Sequence, residues 1–303
     1  SSWIPTQSEP VQELSALELD SQQRIVLPCQ ELNRVLGGGI VPGSVVLLAG
    51  EPGVGKSTLL LQIAQDMATA GRSVLYVSGE ESPHQIKLRS QRLGFAGKGI
   101  FLLSETDVDV VVDRLEEHRP GLAIIDSVQT LYSRDTPSGP GSVAQIREAG
   151  LRLMRWSKAR QTPVFLAGHV TKDGSVAGPK VLEHMVDVVT YLESQEYGAF
   201  RLLRCAKNRF GSTAEVGVFE MSGAGLVEVV DPSKTLLAQR YDQAVGSALV
   251  TVLEGSRPLV LEVQALTSFS HLPSPRRVAN GVDHNRLLML TAVAGRGAGL
   301  DLS

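Results

Sequence analysis

Eight consecutive residues restrict this chain more than any other feature. Gly50-Glu51-Pro52-Gly53-Val54-Gly55-Lys56-Ser57 fits G-x-x-x-x-G-K-[ST] at every fixed position. The pattern does its work only as a turn between a buried strand and a helix, and both flanks agree with that. Val45–Ala49 is a short apolar run bounded by Gly43 and Gly50, which reads as a buried strand. Thr58–Ala70 carries Leu59, Ile63 and Met67 at helical spacing and stops at Gly71. Glycines let backbone N–H groups turn inward with no Cβ in the way. The helix start adds unpaired N–H groups and the positive end of its dipole. The cradle, Gly50, Glu51, Pro52, Gly53, Val54, Gly55, Lys56, Ser57 and Thr58, therefore suits the phosphates of a nucleoside triphosphate. In it Lys56 is a point charge for the β- and γ-phosphates, and Ser57 offers a hydroxyl to Mg²⁺.

Around this P-loop the chain alternates strand and helix. Strands are expected at Ser73–Val77, Ile100–Leu103, Leu122–Ile125 and Pro163–Ala167. Helices are expected at Glu31–Leu36, Pro83–Leu93, Val108–His118 (capped by Thr106 or Asp107) and Ser142–Ala159. Such repetition predicts an α/β fold with a mostly parallel central sheet. Val186–Leu192 and Ala199–Cys205, joined by the polar turn Glu193–Gly198, read as an antiparallel hairpin on one edge. Residues 1–23 read as a linker, residues 24–232 as the main domain, and residues 233–303 as a separate start, divided at Asp231-Pro232-Ser233. In that tail Ala248–Leu253 and Leu259–Val263 alternate like paired strands, and Asp283–Ala294 reads as a capped helix.

Charge and cysteine usage exclude some partners. The chain has 29 basic and 32 acidic residues, so any nucleic-acid surface has to be local. Its two cysteines, Cys29 and Cys205, form no C-x-x-C pair, so a zinc site of the usual spacing is not expected. The low count fits a reducing cytoplasm. No run reaches the ~18 apolar residues of a membrane span, and Ser1–Pro10 lacks the features of a signal peptide. A cytoplasmic protein without a membrane partner is the expectation. The polar opening and the Gly297–Leu300 close read as the ends of a fragment.

Hydrolysis needs more than the cradle. Leu122-Ala123-Ile124-Ile125-Asp126 brings an acid to the end of a buried strand, where open α/β sheets bind ligands. Asp126 would hold Mg²⁺ through water, although a strand-end helix cap has the same look. Glu80 and Glu81 follow the strand after the P-loop helix, where a carboxylate can polarise water or merely open the next helix. Glu80, nearer the strand end, is chosen as the water-positioning residue. His169 ends another strand and is either a γ-phosphate sensor or an ordinary core histidine. Tyr132–Ser142 and Thr171–Lys180 are glycine-rich basic loops at the same sheet edge. They are either phosphate-tracking surfaces or simply mobile polar loops. Arg147, Arg152, Arg155, Lys158 and Arg160 lie on the helix between them.

Three stretches taken together resemble a known family: Leu36–Gly43 before the P-loop, Tyr76–Ser82 after it, and Lys207-Asn208-Arg209-Phe210-Gly211. They are similar to bacterial RadA (Sms), a RecA-like DNA repair and recombination ATPase, over about residues 24–303. The resemblance implies a RecA-like P-loop NTPase core, followed by the partial start of a Lon-protease-like α+β domain. It implies ATP/ADP and Mg²⁺ as ligands and hydrolysis that drives branch migration on single-stranded DNA. DNA would be held through Arg134, Lys172 and Lys180 in the two loops. It also implies a homo-oligomeric ring, a hexamer, in which Lys207 and Arg209 project from a sheet edge into the neighbour's ATP site. Recombinase or replication proteins are further candidate partners. The family's N-terminal four-cysteine zinc module has no counterpart in these residues, so no zinc is expected here. A KaiC-like regulatory ATPase acting on proteins is the alternative, sharing the Gly37–Gly39 lead-in and the P-loop. A Lon-type peptidase is a third reading, but its serine and lysine would lie beyond Ser303.

Overall fold

The computed structural model describes residues 13, 15, 24–170, 180–194, 200–234, 246–268 and 276–299. They divide into two compact units. The first holds the described residues up to 234 together with 250–261, and the second holds 246–249, 262–268 and 276–299. The division therefore does not run cleanly at 232/233: the middle of the tail's hairpin belongs with the first unit.

The first unit is built on a nine-stranded sheet with the order β3-β2-β4-β5-β1-β6-β7-β8-β9. Its strands are β1 (Val45–Gly50), β2 (Val74–Ser78), β3 (Ile100–Ser104), β4 (Leu122–Asp126), β5 (Val164–His169), β6 (Val188–Ser194), β7 (Phe200–Asn208), β8 (Val216–Ser222) and β9 (Gly225–Glu228). The first six are parallel, as the strand–helix alternation predicts. β6, β7, β8 and β9 then run antiparallel to one another. The hairpin expected at 186–205 is present, but the sheet continues past it through β8 and β9, so it is not an edge.

The helices are α1 (Gln30–Val35), α2 (Lys56–Thr69), α3 (Pro83–Arg92), α4 (Val108–His118), α5 (Val143–Arg160) and α6 (Lys180–Glu183). β1, β2 and β4 are buried at every residue, because helices or further chain cover both faces of a parallel sheet. One core lies on the α1–α2 side, with Leu60, Ile63 and Met67 against Val46, Leu48, Tyr76 and Ile124. The other lies on the α4–α5 side, with Val111, Leu115, Leu153 and Trp156 against Leu47, Val77, Ile125 and Leu166. Each fully buried Leu, Ile or Val contributes roughly 1.5–3 kcal/mol.

Helix starts follow the sequence chemistry. Asp107 caps α4 by accepting from Asp109 N. Ser142, taken as the first residue of a helix, is instead the cap of α5. Ser82 and Gln85 form a capping box on α3, with Pro83 in its first turn. That box starts α3 only after Glu80 and Glu81, leaving both acids in the turn above β2.

The tail contains β10 (Ser247–Glu254) paired with β11 (Arg257–Gln264), and α7 (His284–Ala298) capped by Asp283. Within the first unit, Arg257 forms a buried ion pair with Glu31 and donates to Val230 O at 2.7 Å. Glu31 also accepts from Val218 N at 2.8 Å.

Candidate active site

The P-loop rises from β1 and closes on α2. Gly55 is the cap of α2 with φ 115°, a conformation that costs an L side chain heavily, so the glycine is required there. Lys56 is almost wholly buried (4% exposed), and its Nζ donates to Gly50 O and Glu51 O, both at 2.9 Å. Burial lowers its pKa, while the charges of Asp126 and Glu80 pull it back up. Phosphate oxygens would take over the two carbonyls' role and favour the charged ammonium.

Asp126 lies at the end of β4, 5% exposed. Its Oδ2 accepts from Tyr76 Oη at 2.7 Å, across the β2–β4 pairing. Burial first, and then Asp126 itself, hold the Tyr76 phenol far above its ordinary pKa, so the hydroxyl stays a donor. One oxygen of Asp126 is thus oriented from below, and its charge remains for a cation above. A buried carboxylate oxygen with the Ser57 hydroxyl on the first turn of α2 is a hard-oxygen donor set, which fits Mg²⁺.

The two acids after β2 have different surroundings. Glu81 is engaged by both terminal nitrogens of Arg89, at 2.6 and 2.5 Å. Glu80 turns the other way. Its Oε1 meets Ser127 Oγ at 2.6 Å and His169 Nε2 at 3.2 Å. Beside it only a glycine fits at Gly79, because a Cβ there would stand 2.1 Å from Thr130 Oγ1. Gly79 N also donates to Asp126 O at 3.2 Å, fastening the two strand ends together.

His169 is not a core histidine: its ring faces Glu80, and Nδ1, though buried, has no partner. Its main chain is held on both sides by Gln129, whose Nε2 donates to His169 O at 2.9 Å and whose Oε1 accepts from His169 N at 3.1 Å. Val170 N donates to Gly50 O at 3.1 Å and ties the end of β5 to the P-loop. The sequence alone assigned no role to Tyr76, Ser127 or Gln129. Ser127 directly follows Asp126 and Gln129 lies three residues after it, and that nearness was the one available signal. Tyr76 reaches Asp126 only through strand pairing, so nothing local marks it.

Lys207 and Arg209 stand elsewhere. The strand expected at Ala199–Cys205 runs on to Asn208, so Lys207 lies within it, and β7 is an interior strand. A register shift between Val189 and Thr190 skips Ala206, as a bulge does, just before Lys207. Val188 pairs with Asn208 and with Val46, which sets this end of β7 level with the start of β1. Val46 and Gly50, where the P-loop begins, are four residues apart along β1, about 13 Å at roughly 3.3 Å per residue. Lys207 Nζ donates to Glu183 O at 2.8 Å and His184 O at 3.2 Å. Burial, then the charge of Arg209, lowers its pKa. Arg209 Nη1 bonds Asp187 Oδ1 at 3.0 Å, and Asp187 Oδ2 accepts from Val45 N at 3.0 Å.

Of the expected DNA contacts, Arg134 is exposed and pairs with the buried Asp107 at 2.6 Å. Lys180 is exposed at the start of α6. Lys172 lies outside the described residues. On α5, Arg152 is engaged by Asp109, Asp135 and Glu148, and Arg160 by Glu116, whereas Arg147, Arg155 and Lys158 are exposed. Among the described residues no helix is long and apolar enough to cross a membrane.

Comparison with known proteins agrees with this geometry. Residues 8–175, more than half of the chain, match the family model of the AAA domain. The DNA repair protein RadA of Bacillus subtilis (strain 168) is 47% identical over 287 residues, covering 95% of this chain and 63% of that protein. RadA of Halalkalibacterium halodurans is 49% identical over 289 residues, with the same two coverages. The chain therefore spans 63% of the length of these relatives. Among solved structures, a KaiC-like protein from Pyrococcus horikoshii OT3 aligns with a TM-score of 0.56 at 20% identity, covering 68% of this chain and 99% of that one. The RadB recombinase aligns at 0.52 and 21%, covering 66% and 97%. At those identities the structural likeness speaks to the fold alone. The P-loop sheet, the matched model and the RadA relatives together bear out the resemblance: the chain belongs to the AAA domain family, with a RecA-like P-loop fold, and is related to the bacterial DNA repair protein RadA.

Proposed function

We propose that this chain is the ATPase part of a RadA-type motor, which binds single-stranded DNA and hydrolyses ATP to drive branch migration of recombination intermediates in the cytoplasm. The P-loop amides and Lys56 would grip the β- and γ-phosphates. Ser57 and Asp126 would hold Mg²⁺, which when bound supplies charge neutralisation to the phosphates. Glu80 would orient the attacking water and accept its proton, with Ser127 and His169 fixing the carboxylate. Arg134, Lys172 and Lys180 would neutralise the DNA backbone without reading its sequence.

The observation that supports a ring is the separation of the cations from the chain's own site. Lys56, Asp126 and Glu80 converge at one end of the sheet, while Lys207 and Arg209 lie on β7, two strands from β1, toward the other end, about 10–17 Å from the P-loop start by the strand rise. Cations so placed serve an ATP site only if they serve a neighbour's, in a homo-oligomer for which six subunits is our reading. Transition-state charge would then be stabilised across the interface. No zinc enters this scheme.

A complementation test decides it. Lys56→Ala and the double variant Lys207→Ala/Arg209→Ala are each inactive under this reading. Mixed together, a Lys56→Ala subunit supplies intact cations to the double variant's intact P-loop, so DNA-stimulated hydrolysis partly returns. No recovery in mixed oligomers, or full activity in a monomer, refutes the trans arrangement. Hydrolysis indifferent to single-stranded DNA at every salt concentration refutes the motor reading.

A further inference from the structure

The phosphate cradle leaves open what holds the rest of the nucleotide. The γ end of the triphosphate is fixed by position, because Asp126 ends β4 and Glu80 meets Ser127 and His169, all on the β2, β4 and β5 side of β1. The sugar and base must then leave on the other flank, past β6 and β7.

That flank carries a built feature. β6 extends beyond the start of the P-loop: Ala49 pairs with Tyr191, and a Cβ on Gly50 would stand 2.5 Å from Leu192 O. β7 returns beside it, with Arg201 opposite Ser194. Arg201 Nε donates to Val54 O of the P-loop at 3.2 Å, and Nη1 to Phe200 O at 2.9 Å. On the same sheet face, two residues beyond its cross-strand partner Phe219, lies Met221. Its Cε is 2.6 Å from where a Cβ on Gly55 would be, so the thioether leans over the bare backbone of the loop. Phe200, the nearest aromatic ring in sequence, packs on the opposite face with Leu202, Val216 and Val218. Among the described residues, Tyr191 packs with the opposite-face core and Phe219 is buried, so Arg201 offers a planar guanidinium on this flank.

We propose that Arg201 and Met221 receive the base of the bound nucleotide, with the guanidinium stacking on it and the thioether filling the remaining edge. This rests on the ATPase reading and deepens it: Lys56 and the amides bind phosphate, whereas Arg201 makes affinity depend on the base. The flat, delocalised cation suits a ring face in a way that an ammonium does not.

The test compares ATP with inorganic tripolyphosphate, each with Mg²⁺, by equilibrium titration of the full chain. Arg201→Ala should weaken ATP and ADP by about tenfold, mid-range for a partly desolvated cation–π contact. It should weaken tripolyphosphate less than twofold, with KM for ATP raised and kcat unchanged. Met221→Ala should act in the same base-selective sense, but more weakly. Arg201→Lys retains a cation and should not restore ATP affinity; it also carries the test if the alanine variant fails to fold. The proposal is overturned if Arg201→Ala weakens tripolyphosphate as much as ATP, if ATP binding is unchanged, or if Arg201→Lys binds ATP like the wild type. Lys56→Ala in the same titrations must lose both ligands. If it keeps them, the phosphate-site reading itself fails, independently of Arg201.

Discussion

Replacing Glu80 with glutamine separates the two acids above β2. Glutamine keeps the length of the side chain, and its amide can still meet Ser127 Oγ and His169 Nε2, which lie 2.6 and 3.2 Å from Glu80 Oε1. What disappears is the negative charge and the basicity. A positioned base contributes about 10²–10⁴-fold, which is roughly 2.7–5.5 kcal/mol of barrier at 1.36 kcal/mol per tenfold. The Glu80 side chain is 43% exposed, so the substitution should change stability by no more than about 0.5 kcal/mol. Glu81→Gln is the internal control. It breaks a partly exposed ion pair with Arg89, a loss of up to about 1 kcal/mol of stability, with the chemical step untouched. Single-turnover phosphate release with saturating ATP reads the step directly, and a binding titration shows that ATP still enters. Glu80→Gln should release phosphate at least 100-fold more slowly with near-normal ATP affinity, and Glu81→Gln at the wild-type rate. Wild-type release by Glu80→Gln, or equal slowing by both variants, refutes the assignment.

Two further outcomes follow from burial. Arg257→Ala leaves the Glu31 carboxylate, 1% exposed, with the Val218 N–H at 2.8 Å and the Arg34 guanidinium at 3.7 Å as its remaining partners. Losing the close partner of a buried charge costs up to about 3–5 kcal/mol, less what the more distant Arg34 retains, so the urea midpoint should fall, and adding Glu31→Gln should recover part of it; an unchanged midpoint contradicts the ion pair. Burial pushes the Cys29 thiol from an ordinary 9.0 up to about 12, so it should resist thiol reagents at pH 8 in the folded protein and react in urea. Because the folded value is the higher, the associated stability is complete below pH 9 and is lost as pH rises from 9 to 12, which pH-dependent urea melts would show; fast native labelling refutes this.

The amino-acid sequence alone determined the local rules of this protein. The P-loop pattern, its flanking apolar runs, the Gly71 stop and the strand-end acid at Asp126 each depend on neighbours a few residues away. They fixed the strand–helix alternation and most of the phosphate site. Only the tertiary structure decided which side chains from distant segments meet. It turned Glu80 toward Ser127 and His169 and Glu81 toward Arg89, seated Tyr76 beneath Asp126, and stood Arg201 beside Val54. It also extended the sheet by β8 and β9, so that β7 became interior and Lys207 and Arg209 fell at the end remote from the P-loop. The physical reason is that strand order and register are set by the simultaneous burial of two sheet faces. That is a property of the whole packed chain, and no short window of sequence contains it.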